Sequence, residues 1–265
     1  MNTSSAPSEH SPDSIHLPAP SYWPIALAFA MAILPVGLLL AMWGGSEASS
    51  LLVLGGLATI ICLTGWANIL VRETATLPNL MEDDRWMRMG ILLFLISESA
   101  IFGALFAHHF YARWHAPVWP PAGAPKLSTQ LPAIATLILM ASSATVQQAH
   151  SAIVRGRRKA ADRWLALTIL MGVIFLAFQG YDWGFLKTYD HFTQTSGAFG
   201  SSFYAMTGFH GLHVLGGLIM LSVVWFRLRL GHFDPQRHFS LAAASWYWHF
   251  VDLIWVFLFF TIYLF

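Results

Sequence analysis

Charge is scarce in this chain. Only 10% of its 265 residues are Asp, Glu, Lys or Arg, against about 25% in soluble domains, which excludes an ordinary soluble globule. Cysteine is nearly absent. The single Cys62 can form neither an internal disulfide nor a cysteine metal cluster. A formal net charge of +1 gives no clustered basic face of the kind a nucleic-acid partner needs. Residues 1–21 hold no Lys or Arg, so the positive stretch that begins a signal peptide is missing. This Ser/Pro-rich segment reads as a flexible tail, 1–22, ending at the interfacial pair Tyr22-Trp23. Strand-type alternation is also lacking, which removes the membrane barrel.

What is present is apolar length. Apolar residues make up 56% of the chain and the mean hydropathy is +0.58. Runs of helix length recur at Pro24–Trp43, Leu51–Val71, Met89–Tyr111, Leu131–Val154, Trp164–Leu186, Ala198–Phe226 and Leu241–Phe265. A span needs about 20 such residues. The expectation is an all-α membrane protein of seven transmembrane helices occupying 23–265. Trp residues near the ends, such as Trp43, Trp86, Trp164 and Trp225, form the interfacial belt. Lys and Arg number eleven in the connections 72–88, 155–163 and 227–237, against three on the opposite side. That bias predicts a cytoplasmic N-terminus and an external, periplasmic C-terminus. The densest block, Arg155-Gly-Arg-Arg-Lys159 with Arg163, reads as a topology determinant touching anionic lipid.

Polar residues at depth are few, and each needs a partner because lipid supplies none. Glu98 falls roughly 12 Å inside the third run at 1.5 Å per residue. The others are Gln147, Gln148 and His150 in the fourth run, Gln179 and Asp182 in the fifth, His210 and His213 in the sixth, and His249 and Asp252 in the seventh. His210-x-x-His213 and His249-x-x-Asp252 place their side chains on common helix faces. Two chemistries fit: a metal or haem site using His210, His213 and His249, or an interhelical polar network. The ligand set is thin for a metal, so the network is the better reading and this chain is expected to bind no metal. Gly208, Gly211, Gly216 and Gly217, with Ala141-Ser-Ser-Ala-Thr145, agree with close helix packing.

Five stretches carry a resemblance. Ser202-Phe-Tyr-Ala-Met-Thr-Gly-Phe-His-Gly-Leu-His-Val-Leu-Gly-Gly217 and Ser245-Trp-Tyr-Trp-His-Phe-Val-Asp-Leu-Ile-Trp255 resemble the sixth and seventh helices of subunit III of haem–copper oxidases, cytochrome c oxidase type. Gly90–Glu98 is similar to the third helix, Val71-Arg-Glu-Thr74 to the end of the second, and Trp119-Pro-Pro-Ala-Gly123 to an external turn. The similarity runs from Trp23 to Phe265.

The resemblance implies a two-helix arm (about 24–71) and a five-helix bundle (about 89–265) forming a V-shaped cleft that holds phospholipids. It implies an accessory subunit of a proton-translocating terminal oxidase that reduces O2 to water. Such a subunit has no catalytic centre of its own. Haem and copper sit in partners: subunit I is the direct neighbour, subunit II belongs to the complex, and cytochrome c is the electron donor. The location implied is the bacterial inner (plasma) membrane. By motif match Trp66, Arg72, Glu73 and Glu98 are the lipid-binding and proton-related candidates. The alternatives are the equivalent subunit of a quinol oxidase or nitric oxide reductase-type complex, and a membrane enzyme with its own metal. Three positions depart from the family pattern: Ser240–Ser245 lacks an acid before Trp-Tyr-Trp, Ser151 replaces a common His, and Asp182 replaces a Glu.

Overall fold

The computed structural model describes residues 20–42, 46–76, 84–233, 235 and 238–265; within its helices the side chains at 38, 39, 41, 42, 70–76 and 84 fall outside that description. Regular structure among the described residues is helical throughout. The helices are α1 (Trp23–Met42), α2 (Ala48–Thr76), α3 (Asp84–His115), α4 (Gln130–Val154), α5 (Arg158–Thr188), α6 (Gly197–Leu230) and α7 (Phe239–Phe259), which ends in a π-helical turn, Phe260–Leu264. Among the described residues six segments are long and apolar enough to cross a membrane: Ala48–Ile69, Arg85–His115, Gln130–Val154, Arg158–Thr188, Gly197–Leu230 and Phe239–Leu264. The described apolar part of α1, Trp23–Gly37, is shorter.

The helices outrun several of the apolar runs. α5 begins at Arg158 and α6 continues to Leu230, because apolar length marks membrane depth while helix ends are set by caps. At α6 the cap is Gly231, whose φ of +90° is left-handed and suits a residue without Cβ.

The chain divides into two compact units, Met1–Asp83 and Asp84–Phe265. In the first, α1 packs along α2, and Pro35 removes one backbone donor from the interior of α1. In the second, α4 packs on α5 and α7, α6 on α3, α5 and α7, and α3 on α6 and α7.

Trp248, Trp255, Phe102, Phe175 and Phe203 are fully buried at the centre of this second unit. The indole of Trp248 needs space that only glycine leaves. A Cβ at Gly172 on α5 would lie 2.7 Å from it, and one at Gly217 on α6 would lie 2.8 Å from it. Small residues here admit a large ring, not only a close backbone approach. The outer surfaces are apolar: Leu212, Ile219, Leu253 and Phe257 are all exposed. Exposed apolar surface on this scale suits lipid rather than water.

Candidate functional site: a polar network inside the five-helix unit

Glu98 is presented by α3 toward α6. Its neighbours Ser97 and Ser99 turn their hydroxyls back to Phe94 and Leu95 carbonyls, at 2.7 and 2.8 Å, and so place no demand on other helices. The Glu98 carboxyl meets His213 Nε2 at 2.9 Å, with side chains 16% and 11% exposed respectively. The imidazole is oriented from behind, where Nδ1 lies 2.8 Å from the Phe209 carbonyl oxygen. A carbonyl only accepts, so Nδ1 carries the hydrogen. In a neutral ring Nε2 is then the acceptor, and the proton on the 2.9 Å line belongs to the Glu98 carboxyl. Moved across, the same geometry holds an imidazolium–carboxylate pair. Either form keeps the 2.9 Å hydrogen bond. Phe102 packs edge-on to the His213 ring at 5.0 Å, and Tyr247 on α7 donates to the His213 carbonyl at 3.2 Å.

A second cluster joins α4 to α7. Ser143 donates to Asp252 Oδ2, and its Oγ lies 2.8 Å from His249 Nδ1. With its own hydrogen given to Asp252, the hydroxyl accepts from Nδ1–H. His249 Nε2 then faces Ser245 Oγ at 3.4 Å. Ser, His and Asp are thus adjacent, but not in the order of a hydrolytic triad. There the imidazole takes the serine proton and the carboxylate holds the other nitrogen. Here the carboxylate takes the serine proton directly, which makes the hydroxyl a bridge. Two indoles add to the seam: Trp248 Nε1 donates to Ser142 Oγ and Trp255 Nε1 to Thr136 Oγ1, both at 2.9 Å.

Further bonds complete the network. Tyr263 donates to Asp182 Oδ2 at 3.2 Å, Trp183 Nε1 donates to Thr207 at 3.2 Å, and Thr145 pairs with Thr168 at 2.7 Å.

The side chains singled out in the sequence do not form one site. His213 goes to Glu98, His249 to Ser143, and Asp252 to Ser143. The hydrogen bonds expected of His210 are not found among the described residues. Both its nitrogens are buried without a partner among the described residues. The ring instead packs against Phe175 at 5.8 Å and Trp255 at 5.0 Å. His150 likewise leaves Nε2 unpartnered and sets its ring 5.2 Å from His238. Among the described residues no three His, Cys, Asp or Glu side chains gather as a cation site would require. Trp66 is half-buried on α2. Arg72 and Glu73 lie on α2 with side chains outside the described residues.

One member of the network was not legible beforehand. His109, fully buried on α3, meets Ser202 on α6 at 3.0 Å through Nδ1, and Trp119 of the following turn packs edge-on at 5.3 Å. The signal was there in the His108-His109 pair near the end of an apolar run. α3 is thus tied to α6 by two imidazole bonds, one at each of two depths.

Comparison with known proteins places the chain among relatives of matching length. The family profile described as cytochrome c oxidase subunit III matches residues 13–265. "Cytochrome c oxidase subunit 3" of Danio rerio is 38% identical over 263 residues, covering 96% of this chain and 98% of the relative. The protein of the same description from Prototheca wickerhamii is 39% identical over 256 residues, covering 94% and 96%. That from Pylaiella littoralis is 38% identical over 256 residues, covering 94% and 92%. The chain belongs to the cytochrome c oxidase subunit III family.

Proposed function

We propose that this chain is the accessory subunit of a proton-translocating terminal oxidase of the cytochrome c type, which reduces O2 to water. It carries no redox centre. It packs on subunit I, within a complex that includes subunit II, and supports the turnover, proton uptake and stability of the haem- and copper-bearing partner. It is a seven-span protein of a bacterial inner membrane, with α1 as the seventh span and the N-terminus cytoplasmic. Phospholipid in the cleft implied by the resemblance is part of this reading, with Trp66, Arg72, Glu73 and Glu98 as its contacts. A guanidinium at position 72 offers a phosphate a bidentate fork.

The observation that carries the accessory role is the divergence of the three deep histidines. His213 is spent on Glu98, His249 on Ser143, and His210 is wedged between rings. The polar atoms of His213 and His249 serve helix-to-helix contact, and His210 contributes ring packing. The Glu98–His213 pair supports a proton-holding role beside lipid, because α3 exposes Leu93 and Ile96 near the acid.

The test is to purify the complex through an affinity tag on this chain. The expected result is co-purified haem and copper, oxidation of reduced cytochrome c, and no haem remaining with this chain once the subunits are separated. Haem or stoichiometric metal staying with the isolated chain would overturn the accessory reading. Activity with quinol but not with cytochrome c would move the chain to a quinol oxidase.

A further inference from the structure

A groove of about 710 Å³ opens where the first turn of α5 meets the last turn of α6. Arg158, Lys159, Asp162, Arg163, Leu228 and Arg229 line it. Its size falls in the range of small-molecule sites, roughly 300–1,000 Å³. Four of its six lining residues are cationic and one is a carboxylate.

The fold presets part of this cationic set. Arg158 donates from Nε to the Leu228 carbonyl at 3.0 Å, and from Nη2 to the same oxygen and to the Arg229 carbonyl at 3.1 Å. Those carbonyls are available because α6 ends there, turned away by the left-handed Gly231. Arg229 lies over the Trp225 ring at 4.1 Å and donates from Nε to Asp162 Oδ1 at 2.8 Å. Trp225 Nε1 donates to the same oxygen at 2.9 Å. The single acid of the groove is therefore already engaged twice. Lys159 forms no ion pair among the described residues, and Arg163 reaches only the Lys159 carbonyl, through Nε at 3.3 Å. The groove holds cationic donors in excess of its acceptors.

A positive-inside signal needs only charge on one side of the membrane. It does not need one arginine clamped to a neighbouring helix and another stacked on an indole. Immobilised guanidiniums with unspent donors are the chemistry that recognises a phosphate. The surroundings decide which phosphate. α5 and α6 are both long and apolar enough to span, and beyond the groove they expose Leu167, Leu170, Val223 and Phe226. A free phosphate has no use for that surface, whereas acyl chains do.

We propose that this groove is a specific site for an anionic phospholipid, with the phosphate held by Lys159, Arg163 and Arg229 and the acyl chains lying on α5 and α6. The site rests on the membrane location of these two helices. It uses none of the residues proposed for the other lipid contacts, Trp66, Arg72, Glu73 and Glu98.

The experiment uses the delipidated complex containing this chain. It is titrated separately with detergent-solubilised phosphatidylglycerol, with phosphatidylcholine and with inorganic phosphate, and bound molecules are counted by native mass spectrometry. Phosphatidylglycerol binds in preference to both others, and added salt weakens it. Lys159→Gln/Arg163→Gln binds it about twentyfold more weakly, since each cation near an anionic surface is worth about a factor of five. The exchange Lys159→Arg/Arg163→Lys retains binding, which separates charge from folding. Arg72→Ala leaves this lipid in place, whatever becomes of lipid held elsewhere. Undiminished binding by the double Gln variant overturns the proposal. So does inorganic phosphate binding as well as the lipid, or lipid binding by the unaltered complex that salt does not weaken. Loss of the lipid in Arg72→Ala alone would assign it to the other site.

Discussion

The Glu98–His213 contact yields a prediction that separates a hydrogen bond from a mere packing contact. Because Nδ1 of His213 is committed to the Phe209 carbonyl, Nε2 of the neutral ring accepts. Glu98→Gln then keeps the bond, since the amide N–H can donate to Nε2 where the carboxyl O–H did. Glu98→Leu removes the donor and leaves Nε2 unsatisfied on a ring only 11% exposed. Interhelical hydrogen bonds in membranes are worth about 0.6 kcal/mol on average and up to about 1.7. A pair with both partners mostly buried belongs in the upper half of that range. The expected loss for Glu98→Leu is therefore about 1–1.5 kcal/mol, against under about 0.5 kcal/mol for Glu98→Gln. The assay is detergent-driven unfolding of the full chain, run as a cycle with His213→Leu. Coupling between positions 98 and 213 should be about 1 kcal/mol for Leu at 98. The reasoning fails if Gln is as damaging as Leu, or if the cycle shows no coupling. The first result would mean that the contact needs the charge of the carboxylate, which neither an amide donor nor an amide acceptor replaces, and the second that the contact carries no energy.

Other positions give sharper yes-or-no outcomes. Gly217→Leu forces side-chain atoms into the Trp248 indole and should cost about 1–3 kcal/mol or more by overpacking, visible as lost yield of folded chain; unchanged yield would refute the ring-in-gap account. His210→Phe should cost about 1–3 kcal/mol, the cost of fitting a somewhat larger ring into a fully buried site, since among the described residues the imidazole has no hydrogen bond to lose. His210→Ala should cost about 3 kcal/mol through the cavity it leaves, and neither variant should alter the haem spectrum of an intact complex. Arg72→Ala is expected to lower the phospholipid retained by the purified complex, as measured by lipid extraction and chromatography; unchanged lipid would count against Arg72 as a contact.

The helices were legible because apolar length is a one-dimensional property, and a row of some 20 apolar residues admits few alternatives. Azimuth was not. His210 and His213 are three residues apart, which leaves about 60° between them around the helix at 3.6 residues per turn. That angle is enough to send His213 to Glu98 on α3 and His210 to Phe175 and Trp255 on α5 and α7. Spacing alone put both in one network. The Ser/Thr partners were visible as small residues that could bond across helices. The indoles that would choose them were not: Trp248 selects Ser142, while Ser143 one residue on goes to Asp252 and His249. Arg155–Lys159 and Arg163 read as topology signals because sequence shows charge but not the Leu228 carbonyl that Arg158 reaches.

The seam between α4 and α7 bears on the order in which the bundle can be put together. Ser142 and Thr136 donate their hydroxyl hydrogens to carbonyls of their own helix, Leu139 at 2.6 Å and Pro132 at 2.7 Å. Their remaining lone pairs can go unused in lipid at little cost, so α4 can stand alone after insertion. α7 has no such provision. The indoles of Trp248 and Trp255 and the carboxyl of Asp252 find partners on α4, and an orphaned group of this kind in hydrocarbon costs several kcal/mol. α7 is thus less able than α4 to rest in the bilayer unaccompanied. Its sockets are the hydroxyls of Ser142, Ser143 and Thr136, so α7 gains its polar partners only with α4 beside it.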